Sequence, residues 1–187
     1  AEVASTLNES LVMRHLIDTT DDPKMKAYLL NHYLEQFRGT VFRQTMFAEF
    51  EKEIHAAVER NESLTADCLS QIYRQLNLKY FGSGVVVDEQ INMEWARIPH
   101  FYNAFYVYKY ATGFSAATAL SEQILTEGEP AVKRYLDFLA GGGSDYPIEL
   151  LRKAGVDMEK PEPVRQALTV FSGLLDELEG LINQGIQ

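Results

Sequence analysis

The chain has 187 residues, 46% hydrophobic and 24% charged, the make-up of an ordinary globular protein with enough length for a sizeable core. Seventeen Lys and Arg against 27 Asp and Glu leave a net charge of −10, which argues against nucleic acid or an anionic membrane as a partner, since both need a basic face. Cys68 is the single cysteine, so an internal disulfide or a multi-cysteine metal site is excluded; no apolar run reaches the roughly 18–20 residues of a membrane span, and cytoplasmic residence is the expectation.

Helical periodicity is already running at Glu2 with no capping residue before it, which predicts that the chain is the C-terminal part of something larger. A first helix is expected over 2–18, where Leu7, Leu11 and Ile17 recur at three-to-four spacing. Asp22 before Pro23 is a restart signal: a capping carboxylate followed by proline at the first helical position. From there an apolar stripe through Leu30, Tyr33, Phe37, Val41, Phe47, Phe50, Ile54 and Val58 predicts one long scaffold helix to about 59, with Gly39 as the place for a bend. Thr65 caps a third helix to 81, ended by Gly82-Ser83-Gly84. Residues 85–97 are the least helical stretch, with Val85-Val86-Val87 a candidate short extended piece. Ile98-Pro99 forces extended backbone before His100, and a fourth helix is expected over 102–126. Its middle, from Ala111 to Ala119, is rich in small residues that let a neighbouring helix approach closely. Pro130 starts a fifth helix to 140, Pro147 a short one to 154 stopped by Gly155, and Pro161 and Pro163 a last one to 183. Repeats and internal boundaries are absent, and the fold class is all-α and multi-helical.

Chemistry is sparse at first sight. No histidine has a Glu three residues before it, and no two histidines are four apart, so the carboxylate-bridged dimetal bundle and the zinc-peptidase helix are both missing from this chain. Glu51 and His55 read as a solvated surface pair, and His15 and His32 as packed or rim histidines. Two features stand out. Glu2, Ser5 and Glu9 share one helical face. In Pro99-His100-Phe101-Tyr102-Asn103-Ala104-Phe105-Tyr106-Val107-Tyr108-Lys109-Tyr110, a helix would set Tyr102, Tyr106 and Tyr110 on one side, beside His100, with Tyr108 nearly opposite. By itself an aromatic stripe of this spacing is more often core than site.

Taken together, Glu2-Val3-Ala4-Ser5-Thr6-Leu7-Asn8-Glu9, Ile98-Pro99-His100-Phe101-Tyr102, Tyr106-Val107-Tyr108-Lys109-Tyr110-Ala111-Thr112-Gly113, Gly142-Gly143-Ser144 and Ala154-Gly155-Val156-Asp157 resemble the oligoendopeptidase F family. These are thimet-oligopeptidase-like zinc metallopeptidases, and the resemblance covers the whole chain as the C-terminal part of a zincin-like catalytic domain. It implies a parent enzyme that hydrolyses short peptides with zinc. It also implies that Glu2 is the third zinc ligand, that Ser5 and Glu9 lie at most behind it, and that His100 with Tyr102, Tyr106 or Tyr108 binds the scissile carbonyl and its oxyanion. Here only Phe101 separates His100 from the first tyrosine, where the thimet branch has a glycine-rich loop, which leaves the register open; helical geometry favours Tyr102 and Tyr106, with Tyr108 as competitor for the second position and Tyr110 on the same face one turn further away. Without His-Glu-x-x-His, the isolated chain should hold no catalytic zinc and be inactive; its partners are short peptides and the missing N-terminal half. The alternative is a non-catalytic helical packing or binding module, and a third possibility is that a separate chain supplies the missing segment.

Overall fold

A computed structural model describes residues 2–185, and among them there is no strand. Eight α-helices follow one another: α1 (Glu2–Thr19), α2 (Pro23–Phe37), α3 (Arg43–Glu59), α4 (Ala66–Phe81), α5 (Tyr108–Glu127), α6 (Glu129–Gly141), α7 (Pro147–Ala154) and α8 (Glu162–Asn183). No helix of the described residues is long and apolar enough to cross a membrane.

The punctuation follows the capping chemistry. Asp22 accepts a hydrogen bond from the Lys24 amide with Pro23 at the first position of α2, and Thr65 accepts from the Cys68 amide to open α4. Gly155 stops α7 at φ 104°, and its carbonyl accepts a hydrogen bond from the Gln123 side chain. A Cβ at this glycine would lie 2.6 Å from Gln123 Oε1, so both conformation and space call for glycine here. Between α2 and α3 the helical run does not break. It widens into a π turn over Arg38–Phe42 that contains Gly39, the expected bend point. The three valines form no strand. A 3₁₀ helix over Glu89–Arg97 follows them, and a second over Pro99–Tyr102 carries His100.

Two compact units form. One comprises the residues up to Arg38 together with those from Thr112 on, the other Gly39–Ala111. Both junctions fall inside helices, in the π turn and in the first turns of α5, so no linker composition marks them in the sequence.

In the first unit α5 is the central element, and its run from Phe114 to Ser121 is buried throughout. The small side chains of Ala116, Ala117 and Ala119 let Leu7 of α1, Tyr135 of α6 and Leu151 of α7 close on one apolar cluster. The Tyr135 hydroxyl reaches back to the Ala4 carbonyl at 3.3 Å, which ties the start of α1 to this core. Phe37 of α2 meets Phe114 edge-on at 4.7 Å and Phe171 of α8 at 5.6 Å.

In the second unit Met46, Phe47 and Phe50 of α3 pack on Tyr73 and Leu76 of α4, with Ile98 and Val107 closing the cluster. Buried within it, Glu94 accepts hydrogen bonds from the Tyr73 hydroxyl at 2.6 Å, from Arg43 at 2.6 Å, and from Arg97. Burial alone would raise this carboxyl's pKa, yet the Tyr73 and Arg43 hydrogen bonds outweigh it and hold the value below the usual carboxylate range. The same contact works the other way on Tyr73, whose phenol is pushed well above its ordinary value by burial and by the carboxylate it donates to.

A depressed carboxylate contributes stability that is fully present above its unfolded value and is lost as pH falls through its folded one. Glu94→Gln should therefore weaken the second unit by about 2–3 kcal/mol near neutral pH, the worth of hydrogen bonds to a charged group. Hydrogen exchange of peptides from α4 in urea should show the deficit at pH 7 and a much smaller one near pH 3.

Candidate functional site

The segment that presents His100 is fixed at both ends by apolar side chains packed into one core cluster, Phe101 half-buried and Val107 buried. Phe101 inserts between Phe47 and Phe50, with ring centroids 5.4 and 5.1 Å away, and Val107 is fully buried in the same cluster. Six residues along a continuous helix, these two side chains would point roughly 120° apart and could not both enter one core. The helix expected from 102 therefore does not form there. Residues 103–107 are irregular, and α5 begins only at Tyr108.

That change redistributes the phenols. Tyr102 is 82% exposed and stands in solvent at the end of the 3₁₀ turn, while Tyr108 is half exposed at the start of α5. Tyr106 stacks on the His100 ring at 5.7 Å with 24° between planes, and Tyr110 meets both edge-on at 5.8 and 5.7 Å. The Tyr110 hydroxyl lies 3.3 Å from His100 Nε2, and the Lys109 ammonium sits 5.0 Å from the Tyr106 ring centroid. The outcome is a compact His100–Tyr106–Tyr110 cluster with Tyr106 open to solvent and Tyr110 half-buried behind it. Of the tyrosines singled out from the sequence, the structure brings Tyr106 to the histidine and leaves Tyr102 and Tyr108 outside this cluster. Tyr110, which sequence spacing sets on the same face one turn further along, is the one hydrogen-bonded to the imidazole.

The pairing of Glu51 with His55 as a solvated couple is corrected. Glu51 is 1% exposed, and its Oε1 accepts a hydrogen bond of 2.9 Å from the Phe105 amide. His55 is exposed and packs its ring on Phe105 at 4.6 Å instead. The sequence carried a usable signal: Glu51 lies four residues after Phe47 and three before Ile54, a carboxylate set into an apolar stripe. His15 and His32 are exposed, His32 stacked on Tyr28.

In the first unit Glu2 stands in the opening turn of α1 with its side chain exposed and without an ion pair among the described residues. Ser5 turns its hydroxyl back to the Glu2 carbonyl at 3.1 Å, and Glu9 is exposed one turn beyond. Leu7, fully buried on the other side, anchors this turn to the core. No group of three His, Cys, Asp or Glu residues among the described ones could hold a metal ion. A carboxylate such as that of Glu2 has the donor chemistry of a zinc ligand, and the remaining ligands would have to come from outside the described residues.

Residues 1–170 match the description of peptidase family M3. The chain is 58% identical over 182 residues to oligopeptidase PepF of Bacillus subtilis, a match covering 97% of this chain and 27% of that protein. It is 46% identical over 186 residues to the plasmid-borne oligoendopeptidase F of Lactococcus lactis subsp. cremoris, covering 100% of this chain and 31% of that one. The crystal structure of oligoendopeptidase-F from Enterococcus faecium superposes with a TM-score of 0.94 at 49% identity, over 97% of this chain and 35% of that chain. The chain thus spans about a third or less of the length of the curated relatives it matches.

Proposed function

Because the chain belongs to peptidase family M3, we propose that it is the C-terminal catalytic part of a cytoplasmic zinc endopeptidase that hydrolyses short peptides. The observation that carries this is the stacked His100–Tyr106 pair, backed by Tyr110 and open to solvent, in a chain whose relatives are oligopeptidases. A zinc ion held by Glu2 and two histidines of the preceding segment would supply Lewis acidity toward the scissile carbonyl and lower the pKa of water.

The chain's own residues do the rest. The Tyr106 hydroxyl and an imidazole N–H of His100 donate to the carbonyl oxygen, and both bonds strengthen as negative charge develops on it. With the Tyr110 hydroxyl donating its hydrogen bond to His100 Nε2, the imidazole proton would sit on Nδ1 and that N–H would be left for the substrate. Stacking on Tyr106 holds the ring plane, so little reorganisation accompanies the reaction. Tyr102 and Tyr108 are the further candidate phenols, available to a peptide that covers them. Ser5 and Glu9 orient the turn that carries Glu2 without touching the substrate.

The full-length protein should cleave a quenched fluorescent peptide of about ten residues, lose activity on chelation and regain it with zinc. The chain by itself should be inactive with or without added zinc. Chelator-sensitive hydrolysis by the chain alone would sink this division of labour, and a full-length protein indifferent to chelators would sink the zinc assignment.

A further inference from the structure

The turn that lays Tyr106 against His100 is held in an unusual way. Phe105 sits at φ 59°, a left-handed conformation that bulky L-residues seldom adopt. Its amide donates to Glu51 Oε1, while Glu51 Oε2 is buried with no hydrogen-bond partner among the described residues. A carboxylate at a fully buried place on the α3 stripe, with one oxygen unsatisfied, lowers stability compared with leucine, and such a group calls for an explanation beyond packing. Phe101 and Val107 pin the ends of the segment, but neither sets the rotation of the backbone between them. The Phe105 amide is where that rotation is fixed, one residue before Tyr106.

We propose that Glu51 is a positioning residue: its Oε1 clamps the Phe105 amide in the left-handed turn and thereby sets Tyr106 in stacking register with His100. This rests on the reading of His100 and Tyr106 as the oxyanion-binding pair. The strained φ persists because the clamp and the two apolar anchors determine it together. Releasing the clamp lets residues 103–106 relax toward ordinary φ values and carries the Tyr106 hydroxyl off its target, and a displacement of about 1 Å can cost on the order of 100-fold in rate.

Two substitutions in the full-length zinc enzyme test this. Glu51→Leu suits the apolar stripe and should melt no lower than wild type. It should nonetheless lose about 10- to 100-fold in kcat with KM within about twofold, and amide exchange in the peptide covering residues 101–107 should accelerate. Glu51→Gln keeps the carbonyl oxygen as acceptor and should restore both kcat, to within about threefold of wild type, and exchange protection. The proposal is overturned if Glu51→Leu keeps wild-type kcat and exchange. It is equally overturned if Glu51→Leu loses activity only in step with a lowered melting temperature, or if Glu51→Gln is as impaired as Glu51→Leu. Tyr106→Phe separates the two claims: a wild-type kcat there would defeat the oxyanion reading, while exchange at residues 101–107 in Glu51→Leu would still report on the clamp.

Discussion

Glu2→Ala in the full-length protein should lower kcat/KM by well over about 100-fold and leave the purified enzyme deficient in zinc. The magnitude decides between two roles. Loss of an outer-shell partner typically costs about 10- to 100-fold in metal affinity or activity, whereas a direct ligand contributes more because its removal opens the coordination sphere. Glu2 stands exposed in the first turn of α1, without an ion pair among the described residues. Ser5→Ala and Glu9→Gln serve as the internal comparison. Among the described residues Ser5 bonds to the Glu2 carbonyl, and Glu9 lies about two turns from Glu2, so each should stay within the outer-shell range and keep its zinc. Metal analysis by mass spectrometry alongside peptide hydrolysis checks both halves. Glu2→Ala with full zinc content would remove it from the ligand set.

The second large effect concerns the other unit. Tyr106→Phe removes one hydroxyl and leaves the ring that stacks on His100, so packing should survive. If the hydroxyl donates to the developing oxyanion, kcat should fall by about 10²–10³-fold with KM little changed, equivalent to about 3–4 kcal/mol of transition-state stabilisation. His100→Gln should cost a similar amount, and the double variant little more than either alone, because the two donors address one oxygen. Tyr110→Phe should act less strongly and through the histidine, lowering kcat with KM little changed as the imidazole loses its hydroxyl neighbour at 3.3 Å. Tyr102→Phe and Tyr108→Phe show whether either exposed phenol is recruited by bound peptide.

Most of the helical frame was legible because it depends on local chemistry. Asp22-Pro23, Thr65, Gly82 and Gly155 start or stop helices by capping and by backbone freedom, and the structure places those boundaries where the residues require them. Gly39 was readable as a bend point, but not that the helix would widen into a π turn there instead of kinking. The start of α5 was misjudged by six residues, since periodicity alone continues through Tyr102 and Tyr106. Only the tertiary demand that Phe101 and Val107 enter one core breaks the helix between them. The same long-range demand hid Glu51: its partner is a backbone amide 54 residues away, and His55, one turn along the helix, packs on Phe105 instead. The residue types of the proposed site, His100 and Tyr106 among them, are readable from the sequence. Its geometry is not, because the contacts of the irregular segment set it and no helical wheel applies.

The most direct test of the account is a crystal structure of the full-length protein with zinc and a phosphinic peptide, whose tetrahedral phosphinyl oxygens imitate the oxyanion. The account predicts a Glu2 carboxylate oxygen at about 2.0–2.2 Å from zinc, with the Tyr106 hydroxyl and a His100 nitrogen each about 2.7–3.1 Å from a phosphinyl oxygen. Zinc liganded entirely by other residues, or phosphinyl oxygens bound by groups other than His100 and Tyr106, would contradict it.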